Sequence, residues 1–71
     1  MHNDMFFDEL RRIESDVVEG ERQLAKQEAL VVALQRQGAD ASKACVLLDE
    51  LRQNQRERQQ ERLRLLVLLQ R

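Results

Sequence analysis

Arg36-Gln37-Gly38-Ala39-Asp40 is the one strong interruption in a chain otherwise built from helix-forming residues. Arg36 puts a cation in the last turn of the preceding helix, where it meets the negative end of the helix dipole. Gly38 can take the left-handed conformation that closes a helix. Asp40 can then cap the next helix through its side-chain oxygen. Stop and start signals this close together predict a short turn between two antiparallel helices. Helix 1 is expected over about 4–37, the turn over 38–40 and helix 2 over about 41–69, in a single unit spanning 1–71. Asn3 or Asp4 can cap helix 1, and Asp8 and Arg12 add an i,i+4 pair in the favourable order.

Composition agrees with an all-α chain. There is no Pro, Trp or Tyr, and charged residues make up 35% of the 71 positions, a mixture typical of long helices and coiled coils. A chain this short rarely buries enough apolar surface alone to offset the entropy of ordering, so small domains add disulfides, metals or association. Cys45 has no partner for a disulfide, and it and His2 are the only soft metal ligands, far apart in sequence. Association is what remains. A lone thiol without a secretory signal suggests a cytoplasmic setting.

Stepping by three and four from Phe6 gives Phe6, Leu10, Ile13, Val17, Gly20, Leu24, Gln27, Val31 and Leu34, a sustained heptad seam. In helix 2 the same walk gives Ala44, Leu48, Leu51, Gln55, Arg58, Arg62, Leu65 and Leu69. Folding about residue 39 sets Leu34 beside Ala44, Gly20 near Arg58 and Ile13 near Leu65. The expected hairpin has two apolar ends and a polar waist. Its ends carry too many apolar residues for one seam: Leu30 to Leu34 with Val46 to Leu48, and Met5 to Phe7 with Leu63 to Leu69. If four large side chains stayed exposed, the forgone burial would be ~6–12 kcal/mol, more than half the stability of an ordinary domain. The sequence therefore predicts an antiparallel two-helix hairpin that dimerises into a four-helix bundle. The residues expected to hold the assembly are Phe6, Leu10, Ile13, Val17, Leu24, Val31, Leu34, Leu48, Leu51, Leu65 and Leu69.

Residues 1–35 carry eight acidic and four basic side chains, a balance of −4, and residues 36–71 carry five acidic and eight basic, a balance of +3. Opposite signs favour packing the halves together, and the total of −1 offers nucleic acid no overall attraction. Arg52, Arg56, Arg58 and Arg62 could contact phosphates in an alternative nucleic-acid-associated reading. Glu57 and Glu61 interrupt them, and no aromatic residues are interleaved for stacking, so a solvated, salt-bridged face is preferred.

Other features favour the structural reading over a chemical one. Leu63 to Leu69 is broken by Arg64 and far short of the ~20 residues needed to span a membrane. Gly20 lies on the seam, where it allows close helix approach, gives Arg58 room to cross the waist, or marks a kink. No nucleophile lies beside a base, no Glu-x-x-His pair supports a di-iron site, and Glu14, Glu19 and Glu21 are spaced as surface carboxylates. Cys45 reads as a small packing residue. The expectation is a non-enzymatic protein with no cofactor and no bound metal. It would act through association with itself or with another helical protein.

Val17-Val18-Glu19-Gly20-Glu21-Arg22, Gly38-Ala39-Asp40 and Ala44-Cys45-Val46-Leu47-Leu48 form the pattern V-x-E-G-E-R, G-x-D, A-x-x-L-L. In that order and spacing they resemble small uncharacterised bacterial helical-hairpin proteins. The resemblance covers about residues 17 to 51. It implies a bacterial source and carries no activity and no site residues.

Gln27 is the polar member of the helix 1 seam and is expected to set register. Gln27→Leu should then stabilise the protein while broadening its oligomer distribution, as read by light scattering on a sizing column. A single unchanged oligomer would remove that role.

Overall fold

A computed structural model describes residues 3–70, with side chains from Met5 onward, and among these residues there are two helices and no strand. Helix α1 spans Asn3–Arg36 and helix α2 spans Ser42–Leu69. They pack antiparallel along their whole length into a rod of 56 × 14 × 14 Å. The all-α hairpin read from the sequence is the observed fold.

The turn forms around Gly38, whose φ is +69°. The Ala39 N–H donates to the Leu34 carbonyl (2.9 Å) and the Gly38 N–H to the Gln35 carbonyl (3.1 Å). This pair of bonds is the Schellman closure, which satisfies carbonyls that the last turn of a helix would leave open. The turn is longer than expected, because α1 ends at Arg36 and α2 begins only at Ser42. Asp40 does not occupy the cap position itself. Ala41 does, without a side-chain cap bond, and Asp40 stands one residue ahead. From there its Oδ1 accepts from the Ser42 N–H (2.9 Å) and the Ser42 hydroxyl (2.6 Å). The carboxylate still serves the helix start, displaced because the chain needs Ala39 to Ala41 to reverse direction. The expected Asp8–Arg12 pair is replaced by Asp8 with Arg11, one step closer on the helix. The cap expected from Asn3 or Asp4 lies outside the described side chains.

The seam appears as read. In α1, Leu10, Gly20 and Val31 are buried, and Ile13, Val17, Leu24, Gln27 and Leu34 are half-buried. In α2, Leu48, Gln55 and Leu65 are buried, and Ala44, Leu51, Arg58, Arg62 and Leu69 are half-buried. Phe6 stands apart at 38% exposed. The core is thin: among the described residues only Leu65 falls to 2% exposure. Two helices can enclose a single line of side chains, and no layer lies behind it.

Both hydrogen bonds from Ser42 hold the Asp40 carboxyl below its ordinary value of 3.8, the side-chain bond contributing most. Since the folded value is lowered, the stabilisation is complete above the ordinary carboxylate range and is lost as pH falls through the lowered value. Asp40→Asn should therefore weaken the dependence of thermal unfolding on pH below about 4. Melts across that range check it; an unchanged slope would show that the Ser42 bonds add nothing to stability.

Candidate functional site

Polar side chains occupy the middle of the seam. Gln55 is the buried one, at 6% exposure. Its Nε2 donates across the interface to the Val17 carbonyl (2.9 Å) and to Glu21 Oε1 (3.1 Å). Its Oε1 accepts from Arg58 Nη1 at 3.3 Å. The amide is thus satisfied on both ends, which a buried polar group requires to avoid a large desolvation penalty.

Gly20 makes room for it. A Cβ at Gly20 would overlap Gln55 Oε1 and lie 2.8 Å from Gln55 Cδ and 2.9 Å from Arg58 Nη1. Of the roles the sequence allowed this glycine, the observed one is room for side chains of α2: Arg58 reaches the space as expected, and Gln55 occupies it with Arg58. Position 55 was legible as a polar interruption of the seam. That its amide seats in the glycine notch depends on the rotation of one helix against the other, which spacing does not fix.

A second glutamine makes the reciprocal contact nearer the turn. Gln27 Nε2 donates to the Ala44 carbonyl of α2 at 2.9 Å. Each helix therefore sends one amide to a backbone carbonyl of the other. Val17 and Gln27 are ten residues apart, so the two contacts stand ~15 Å apart along α1. Together they fix both the sliding and the rotation of the pair.

The seam is flanked by two faces of different character. On one, Glu14, Val17, Val18, Gln59 and Arg62 line an open groove. Glu14, Glu21 and Glu28 follow at steps of seven and so form one exposed row along this edge of α1. Glu21 meets Gln55, and Glu28 pairs with Arg52 at 4.0 Å. On the other face, one groove is lined by Glu9, Arg12, Ile13, Asp16, Glu61 and Leu65, and a second by Gln23, Lys26, Gln27, Leu47 and Leu51. Glu61 there is bonded to Arg64, and that bond lowers its pKa from the ordinary value of 4.5. The charge asymmetry of the two halves gives one ion pair between the helices among the described residues, Glu28–Arg52; the other pairs join residues three apart in the same helix.

Of the residues expected to hold an assembly, all but Phe6 are buried or half-buried in the contact between α1 and α2. Phe6 and ten other large apolar side chains are exposed on the hairpin among the described residues. They are Met5, Phe6, Phe7, Val18, Leu30 and Val32 on α1, and Val46, Leu47, Leu63, Val67 and Leu68 on α2. All but Val18 cluster toward the two ends, as the excess of apolar residues there implied.

The four arginines of the alternative reading are in varied settings. Arg52 pairs with Glu28 and Asp49, and Arg56 donates to Gln53 Oε1 at 2.7 Å. Arg58 bonds Gln55, and Arg62 is half-buried beside Glu14. Cys45 is a half-buried free thiol. No group of His, Cys, Asp and Glu suited to a metal ion occurs among the described residues, and no described helix is long and apolar enough to cross a membrane. No family model, curated protein or solved structure matches the chain.

An alanine in mid-helix normally stabilises by about 1 kcal/mol relative to glycine. Gly20→Ala should do the opposite. Gln55 must leave its partners, at about 1–3 kcal/mol, for a net loss of about 1 kcal/mol. In a Gln55→Ala background the same substitution should turn stabilising. Urea melts of the four proteins in this cycle give the sign directly, and additive effects would remove the notch from the account.

Proposed function

We propose that the protein is a non-catalytic interaction module that works as a homo-oligomeric helical bundle, in its simplest form a dimer of hairpins. The observation that carries this reading is surface in excess of what a chain of this size exposes when it folds alone. The hairpin presents 5738 Å² to solvent. A compact monomer of 8.4 kDa presents about 4,600 Å². The surplus, about 1,100 Å², is of the order of the ~800 Å² that each partner contributes to a standard interface.

The character of that surface supports the same reading. Met5 is 73% exposed, Val18 61%, Val46 59%, and Leu63 and Val67 57% each. Side chains of this size contribute ~1.5–3 kcal/mol each when fully covered. The thin core means that the lone hairpin has little else to hold it. A second copy supplies the missing layer and makes the four-helix arrangement. The nucleic-acid alternative has no observation in its favour, since its arginines are largely engaged with acidic or amide neighbours of the same chain.

Sedimentation equilibrium in dilute buffer should return about twice the 8.4 kDa chain mass. Val32→Glu with Leu63→Glu should shift the mass to that of the single chain and lower the melting temperature by several degrees or more. A well-folded wild-type monomer would sink the proposal. Tight binding of a mixed RNA or DNA probe at low salt, lost steeply as salt rises, would move the assignment to the alternative.

A further inference from the structure

The helices differ in charge as whole elements. Within Asn3–Arg36 there are eight acidic and five basic side chains, so α1 carries −3. Within Ser42–Leu69 there are four acidic and six basic, so α2 carries +2. Two hairpins stacked face to face with two-fold symmetry have two arrangements. With the axis along the helices, both turns lie at the same end, and each α1 rests on the α2 of the other copy. With the axis across the helices, the turns lie at opposite ends, and α1 rests on α1 while α2 rests on α2. The first puts unlike charges in contact along the whole interface and the second puts like charges there.

The flank that carries the Glu14, Glu21 and Glu28 row sharpens this difference. That row runs beside Val18, Ala25 and Val32, which also recur at steps of seven, with Phe7 at the open end. Val18 is 61% exposed, Phe7 48% and Val32 43%, so α1 presents an apolar strip edged by carboxylates. The facing flank of α2 carries Arg52, which pairs with Glu28 and Asp49 of its own chain, and, one turn on, the exposed Arg56, with Leu63 beyond them at 57% exposure. In the opposite-end arrangement Glu21 would meet its own copy, and Glu14 would meet Glu28. In the same-end arrangement the acidic row meets arginines and glutamines.

Resting on the dimer reading above, we infer that this flank is the surface that binds a second copy of the chain, with both turns at the same end of the bundle. The polar waists then coincide, and Phe7 and Leu63 meet their counterparts around the open end. Charge complementarity of this kind selects orientation more than it adds affinity.

The test places a nitroxide spin label at Gln37, an exposed position next to the turn, in a Cys45→Ser background. Pulsed dipolar spectroscopy on the full chain should give a label separation of about two helix diameters, ~20 Å. A second label at exposed Gln70, at the open end, should also report a short separation. Separations near the 56 Å length of the rod at both sites would overturn the orientation while leaving the dimer intact. No dipolar coupling, together with a single-chain mass, would remove the dimer reading itself. Salt gives an independent sign. Screening should weaken the same-end dimer several-fold between low and ~0.5 M salt, and strengthening would contradict the arrangement.

Discussion

The amide of Gln55 reaches the Val17 carbonyl across a gap that exists because position 20 has no side chain. Most of the hairpin's geometry follows from that contact. Leucines on two helices can slide by a turn and still find leucines, since apolar packing has no direction. A buried amide cannot, because one residue of slippage leaves its donors and acceptor without partners in a region poor in water. The reciprocal bond from Gln27 to Ala44 adds a second fixed point, so register and rotation are both specified. Nearer the turn, Glu28 lies 4.0 Å from Arg52 of the other helix.

Directional contacts in the waist leave the apolar contacts to the ends. Leu10 and Leu65 lie in the open half, Val31 and Leu48 toward the turn, and these four are the buried apolar residues among those described. So thin a core accounts poorly for a stable fold in isolation, because two cylinders touch along a line and the sides of both remain in water. Exposed Phe7, Val32, Val46 and Leu63 mark where that line is not enough. The polar contacts that fix register also divide the exposed apolar surface into two separate ends.

Much of this could be read along the chain. Gly38 announced the reversal, and its positive φ is the conformation expected of it. The heptad walk located the seam in both helices, including the polar members Gln27, Gln55 and Arg58. Local details were less legible. Asp40 serves the start of α2 from one position ahead of the cap, and Asp8 pairs with Arg11 instead of Arg12. Both differences arise because side-chain reach is decided by rotamers and by how many residues the turn consumes, neither of which periodicity encodes.

The order of residues by itself determined two helices, their antiparallel course, the line along which they touch and the surplus of apolar side chains at both ends. These follow from 3.6-residue periodicity and a single chain reversal, which are local properties. Tertiary structure alone decided which seam residues are consumed within the hairpin and which apolar residues stay free, and that Gln55 seats against Gly20. It did so because the rotation of each helix about its own axis is set by contacts between residues far apart in the chain, where a shift of a few tens of degrees exchanges a buried side chain for an exposed one.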